Sequence, residues 1–226
     1  MPRGFSINVA AGAVSSFRWG TRLRPLEYAD VDARAFADLA AARAFDAVVL
    51  SGSQARYGVL RRSIIAAAAT LGAGDTFILT FNGHGLAGQR RGLIQQSWCL
   101  FDDPLMRFGD DGLDALLAQF ADGVRVFVVS NCCHSGAPGG ETPLTPPARA
   151  HVVRLSACAV GGITISSEDG NPSLFVTRVL EAAEVDGGFT GFFGALTGAS
   201  RDSLPQLEIA EPVSESFLAA GPFRLA

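Results

Sequence analysis

A short apolar run that changes abruptly into reactive residues constrains this chain more than any other feature. Residues 124–136 read VRVFVVSNCCHSG. The valines and the phenylalanine at its start, interrupted by one arginine, predict a strand that is buried on both faces. In open α/β sheets, ligands and catalytic groups gather at the carboxyl ends of strands. The cysteines that follow the run, Cys132 and Cys133, are therefore candidate nucleophiles.

Cys132 and Cys133 also have a plainer interpretation, because most free cysteines are small buried hydrophobes. Side chains alternate across a strand, so the two thiols point to opposite faces and at most one can serve a given site. A second buried strand is predicted at 76–81, TFILTF, and it runs directly into NGHG at 82–85. If the two strands are parallel neighbours, His84 and one of the cysteines lie at the same edge of the sheet.

Composition limits the class of protein. With 226 residues, 48% hydrophobic residues and a net charge of −4, the chain is expected to be one soluble domain, residues 1–226. It has no apolar run long enough to span a membrane and none of the blocks of a signal peptide, so we expect a cytoplasmic protein without membrane contact. Four cysteines without repeating spacing favour reduced thiols. All 18 basic residues are scattered arginines, so no nucleic-acid partner is expected.

The order of the predicted elements indicates the fold class. Strands are predicted at 5–10, 47–50, 76–81, 97–101, 124–129, 151–156 and 207–210, and helices at 30–43, 57–71, 110–120, 173–183 and 190–198. This alternation predicts an α/β fold with a mostly parallel sheet and helices on both faces. Residues 137–150 hold four prolines and two glycines and are expected to form a mobile surface loop.

Two ligand motifs compete with the thiol interpretation. Gly83, Gly85 and Gly88 fit the pattern G-x-G-x-x-G, but a dinucleotide site needs its last glycine to open a helix. Residues 89–96 are too few for that helix before the next strand, and a glycine interrupts them. The cluster Cys-Cys-His at 132–134 cannot supply three tetrahedral zinc ligands, because consecutive side chains do not converge. We therefore expect neither a cofactor nor a metal, and we interpret His134 and His151 as structural.

The two strand-end motifs resemble those of a known family. NGHG at 82–85 is similar to SGHG, and NCCHSG at 131–136 to D-x-C-H-S-G, of metacaspases and bacterial orthocaspases, which are caspase-like cysteine peptidases of the C14 type. Cys133 follows His84 by 49 residues, and in caspases this separation is about 50. The resemblance implies a caspase-haemoglobinase-like fold with a six-stranded sheet. It also implies that Cys133 is the nucleophile and that Cys132 belongs to the core.

The resemblance divides the chain into a large-subunit-like part at about 1–136, the loop 137–150 and a small-subunit-like part at 151–226. VVRLSAC and LFVTRVLEAA resemble the strand and helix of the family's small subunit, and PFRLA at 222–226 its closing strand. Relatives often cut themselves between the two parts. Arg149 is the only arginine or lysine between Cys133 and Arg154, so any self-cleavage is predicted after Arg149.

Substrate-binding residues also follow from the resemblance. LEYADVDARAFADL at 26–39 is similar to the segment whose aspartate lines the specificity pocket, which assigns Asp32 to that pocket. Asn131 stands where the family has an aspartate, and Asn82 stands where it has a serine. The acidic insertion of calcium-dependent relatives is here the shorter and basic GQRRGLIQQ, so calcium independence is expected. One remaining carboxylate predicts a weakened preference for arginine at P1, the substrate residue before the cleaved bond.

The residue types define the expected chemistry. A thiol is only slightly ionised at neutral pH, so Cys133 needs the His84 imidazole to take its proton and later to protonate the leaving amine. By the resemblance, the backbone N–H groups of Gly85 and Cys133 form the oxyanion hole. The sequence thus predicts a cysteine endopeptidase that acts on peptide or protein substrates. The alternative is a caspase-like domain that binds such partners as a regulator without turnover, because the pocket is altered.

Overall fold

A six-stranded β-sheet with helices on both faces forms the centre of the computed structural model, which describes residues 1–14, 23–90, 93–102, 106–107, 112–133, 149–158, 170–198, 204–210 and 212–225. The strands in these residues are β1 (Gly4–Ala11), β2 (Asp46–Ser51), β3 (Thr76–Gly83), β4 (Gly85–Arg90), β5 (Leu93–Trp98), β6 (Met106–Arg107), β7 (Arg125–Asn131), β8 (His151–Ser156) and β9 (Gln206–Ala210). The helices are α1 (Tyr28–Ala42), α2 (Tyr57–Thr70), α3 (Leu113–Leu117), α4 (Leu174–Ala182), α5 (Gly188–Gly198) and α6 (Glu215–Ala220).

The central sheet has the strand order β2-β1-β3-β7-β8-β9. All neighbours pair in parallel except β8 and β9, which are antiparallel. Every residue of β3 and β7 is buried, as their continuous apolar runs predict for central strands of a sheet covered on both sides. The predicted α/β class, the mostly parallel six-stranded sheet and the helices on both faces are confirmed.

Two apolar layers hold the helices to the sheet. On one face, Leu60 and Ile64 of α2 and Leu113 of α3 pack against the sheet. On the other face, α1, α4, α5 and α6 contribute a cluster that is rich in phenylalanine. None of the described helices is both long and apolar enough to cross a membrane.

A small antiparallel sheet, in the order β4-β5-β6, leaves the main sheet directly after His84. The sequence did not predict β4, because GLAGQR has neither apolar alternation nor β-branched residues. The strand predicted at 97–101 is misplaced, since β5 covers Leu93–Trp98. The helix predicted at 110–120 is shorter, since α3 covers Leu113–Leu117.

The closing strand predicted at 222–226 is wrong, because residues 222–225 form a turn and coil after α6. Gly221 and Phe223 have φ values of 81° and 55°, which are incompatible with an extended strand. The Phe223 side chain is 1% exposed and stacks on Phe36 with a centroid separation of 6.1 Å. The apolar residues that suggested a strand therefore fill the core from a turn.

Candidate active site

The pairing of β3 with β7 brings the two motifs together. The last registered pair of these parallel strands is Asn82 with Asn131. His84 and Cys133 each lie two residues beyond this pair, and neighbouring strands are about 4.8 Å apart. Both residues therefore lie at the carboxyl edge of the central sheet, as expected from the sequence.

Gly85 shows how closely these two strand ends approach each other. A Cβ added to Gly85 would overlap the carbonyl oxygen of Cys133 and would lie 2.8 Å from Cys132 Sγ. Real Cβ atoms do not approach other atoms that closely, so the backbone here has room for glycine alone. This contact is independent of the strand register and supports the same placement of His84 beside the two cysteines.

The adjacent cysteines occupy different environments. Cys132 is 1% exposed and packs in the same apolar cluster as Val126 and Val128, whereas Cys133 is half-buried. Burial, followed by the neighbouring thiols of Cys158, Cys133 and Cys99, holds the pKa of Cys132 well above its ordinary value. Burial also raises the pKa of the Cys99 thiol to about 12. Cys132 and Cys99 are thus held as unreactive thiols, and Cys133 is the more accessible one.

The ring of His84 has a fixed orientation. Its Nε2 atom lies 2.7 Å from the backbone carbonyl oxygen of Arg24. A carbonyl can only accept a hydrogen bond, so the neutral ring is assigned a proton on Nε2 and a lone pair on Nδ1. Nδ1 is therefore the atom that can take a proton from a thiol.

Asp32 is fully buried on α1 and accepts hydrogen bonds from two residues. The Ser173 backbone N–H donates to Oδ1 at 2.6 Å, and the Asn131 amide donates to Oδ2 at 2.8 Å. Burial raises the pKa of Asp32 to about 6, although the backbone and hydroxyl of Ser173 and the amide of Asn131 act in the opposite direction. The carboxylate is therefore protonated at a higher pH than an ordinary aspartate, and its oxygens already accept hydrogen bonds within the protein.

The three predicted substrate-binding residues form one buried network. The Asn131 amide nitrogen also lies 3.1 Å from Asn82 Oδ1 and 3.2 Å from Ser173 Oγ. Asn82 in turn donates to the carbonyl of Val9 at 3.2 Å. Sequence reasoning missed Ser173, which stands 141 residues from Asp32 along the chain. The sequence indicated only that Ser173 begins an apolar helix, and it lies directly before α4.

The other predicted residues lie away from this edge or outside the described part of the chain. His151 begins β8 opposite Arg125, at the far end of β7, and its Nδ1 lies 3.1 Å from the Pro212 carbonyl oxygen. Arg149 is exposed just before β8. His134 and most of the predicted loop 137–150 lie outside the described residues.

The competing dinucleotide motif gains no structural support. Gly85 and Gly88 lie in strand β4, whereas a dinucleotide site needs a helix that begins there. Among the described residues, no three His, Cys, Asp or Glu side chains gather in a way that could hold a metal ion.

Comparison with known proteins places this geometry in a familiar fold. No known family profile matches the chain, and no curated protein matches it. Among solved structures, protein GSU0716 from Geobacter sulfurreducens is similar over 99% of both chains, with 25% sequence identity and a TM-score of 0.85. Caspase-1 from Spodoptera frugiperda is similar over 92% of this chain and 86% of its own, with 11% identity and a TM-score of 0.58. The chain therefore has a caspase-like fold.

Proposed function

We propose that this protein is a cysteine endopeptidase that hydrolyses peptide bonds with Cys133 as nucleophile and His84 as general base and acid. The observation that carries the proposal is the approach of the two strand ends, where Gly85 packs on the Cys132–Cys133 backbone beside His84. The caspase-like fold is compatible with this chemistry.

The proposed reaction needs a base, a thiol and two backbone N–H groups. Nδ1 of His84 takes the proton of the Cys133 thiol, and the thiolate attacks the substrate carbonyl. Backbone N–H groups of Gly85 and Cys133 stabilise the oxyanion, and His84 then protonates the leaving amine. Water, deprotonated by His84, hydrolyses the thioester and returns the thiol. The hydrogen bond from Nε2 to the Arg24 carbonyl keeps the ring in the required tautomer throughout.

We further propose a modest preference for arginine at P1. The guanidinium of a substrate arginine would be attracted by the negative charge of Asp32. To bond to that carboxylate, it would have to displace the hydrogen bond that Asn131 or Ser173 already donates. Exchanging a neutral donor for a charged one contributes about 1–2 kcal/mol, which is roughly tenfold in kcat/KM. Lysine and uncharged residues should be tolerated, and aspartate should be rejected by Asp32.

The two strand-end motifs and the caspase-like fold together support a proposal for the type of peptidase. We propose a metacaspase or bacterial orthocaspase type of peptidase, which acts on peptide or protein substrates in the cytoplasm without a cofactor. Its proposed self-cleavage site is Arg149, whose exposed position before β8 is suited to attack.

Turnover of a peptide library tests the proposal. Wild type should cleave, whereas Cys133→Ala and His84→Ala should lose at least about a thousandfold of kcat/KM, because each removes one half of the reacting pair. Cys99→Ala is the matched control, since it truncates a buried thiol that takes no part in the chemistry. Binding of peptides without any cleavage would favour the regulatory alternative. If Cys132→Ala abolished turnover and Cys133→Ala retained it, the site assignment would be wrong.

A further inference from the structure

A buried thiol outside the proposed reacting pair contacts the backbone that carries the nucleophile. Cys158 Sγ lies 3.4 Å from the carbonyl oxygen of Cys132, to which the S–H group donates. Cys158 is 2% exposed, so water does not compete for this donor. Hydrogen bonds from S–H groups are weak, and burial is the condition under which they can orient a partner.

The sheet brings Cys158 to this position. β7 and β8 pair in parallel up to Ser130 and Ser156, and the Ala157 N–H extends the pairing by donating to the Ser130 carbonyl at 3.0 Å. Cys132 and Cys158 each lie two residues beyond the last registered pair. They therefore lie side by side just beyond the ends of β7 and β8, at the same edge of the sheet as His84 and Cys133.

The carbonyl that accepts this bond belongs to a functionally important peptide unit. The Cys132 C=O and the Cys133 N–H are parts of the same planar group, and in a trans peptide they point in opposite directions. An anchor on the oxygen therefore fixes the direction of the N–H. A hydrogen bond to the oxygen also polarises the unit, which makes the N–H a better donor.

We propose that Cys158 is a positioning residue for the oxyanion hole: its thiol holds the Cys132–Cys133 peptide so that the Cys133 N–H faces the substrate oxygen. The inference rests on the proposed function, in which that N–H stabilises the oxyanion. Gly85 packs beside this peptide, against the Cys132 side chain and the Cys133 carbonyl. Cys158 itself touches no reacting atom.

Substitutions at Cys158 test the inference through kcat. Loss of an oxyanion-hole donor costs about 10²–10³ in kcat, so loss of the weaker support for that donor should cost about tenfold in Cys158→Ala, with KM little changed. Cys158→Ser keeps a hydroxyl donor and should recover most of kcat. Cys158→Val fills the space without a donor and should behave like Cys158→Ala. It provides the same test if the alanine variant does not fold. Cys99→Ala should match wild type.

A second readout separates positioning of the N–H from general damage. Alkylation of Cys133 by iodoacetamide forms no oxyanion, so its rate should be unchanged in Cys158→Ala. Inhibition by a peptide aldehyde forms a tetrahedral adduct with an oxyanion and should weaken with kcat.

Each outcome decides the matter. An active wild type whose Cys158→Ala variant keeps full kcat overturns this inference alone, as does a variant in which alkylation slows as much as turnover. A wild type that cleaves no peptide overturns the proposed function and this inference together. If kcat and the affinity for the peptide aldehyde both fall in Cys158→Ala while the alkylation rate stays constant, the proposed function and this inference are both supported.

Discussion

Replacing Gly85 by alanine is the change to which the proposed site is most sensitive. The new methyl group would overlap the Cys133 carbonyl oxygen and would lie 2.8 Å from Cys132 Sγ. One contact is with backbone and the other is with a buried thiol, so no flexible side chain can move aside. The ends of β3 and β7 would have to separate, and His84 would move away from Cys133.

The size of the effect follows from this geometry. Overpacking a close contact costs about 1–3 kcal/mol. For a chain of this size, such a loss lowers Tm by roughly 2–4 °C per kcal/mol, so we expect a decrease of about 2–12 °C. A displacement of about 1 Å between reacting groups can cost about a hundredfold in rate. We therefore expect kcat/KM to fall by about a hundredfold while the protein remains folded.

Thermal unfolding and peptide hydrolysis, measured on the same preparations, provide the assay. Gly194→Ala is the matched control, because a Cβ at this exposed position of α5 meets no atom within 4 Å. It should leave activity unchanged and raise stability by about 0.5–1 kcal/mol through a better helix propensity. Wild-type Tm and activity in Gly85→Ala would refute the close approach of the two strand ends.

Five further predictions concern charge, processing and calcium. Because the pKa of Asp32 is raised from 3.8 to about 6, the folded state binds its proton more tightly, so the free energy of unfolding should fall as pH rises from about 4 to 6. Relative to Asp32→Asn, wild type should lose up to about 3 kcal/mol across this window in denaturant titrations, and a constant difference would contradict the burial argument. The ratio of kcat/KM for arginine over uncharged P1 substrates should decline below pH 6 as Asp32 becomes neutral; a ratio that does not depend on pH would remove Asp32 from the pocket. Asn131→Asp should increase the arginine preference and lower stability at neutral pH, since two buried carboxyl groups would then face each other; a lower preference would count against the pocket assignment. Intact mass spectrometry should show any self-cleavage after Arg149 in wild type and none in Cys133→Ala; cleavage elsewhere would contradict this. Activity should not change when a calcium chelator is added, and a strong calcium stimulation would contradict the expected calcium independence.

The sequence predicted the parts of the fold that depend on strong local patterns. The apolar runs of β3 and β7 required two buried strands, and the position of polar residues at their ends indicated the edge at which His84 and Cys133 meet. The two central strands could be predicted because burial on both faces leaves few choices of residue.

What the sequence could not predict depends on contacts between distant segments. The link from Ser173 to Asp32 joins the residue before α4 to a residue of α1, and no local pattern connects the two. The turn at Phe223 carries the same apolar residues as a strand would, and only the position of the core decides between them. The bond from Cys158 to the Cys132 carbonyl likewise follows from strand pairing, which the chain order alone does not specify.

Alkylation measured separately at each cysteine tests the proposed pairing of Cys133 with His84. Native wild type would be treated briefly with iodoacetamide near neutral pH, and peptide mass spectrometry would quantify modification at each of the four cysteines. We expect Cys133 to react at least about tenfold faster than Cys99, Cys132 and Cys158, which are buried, and we expect His84→Ala to slow the reaction at Cys133 by about tenfold. Equal reaction of Cys132 and Cys133, or a rate at Cys133 that His84→Ala leaves unchanged, would contradict the proposed pair.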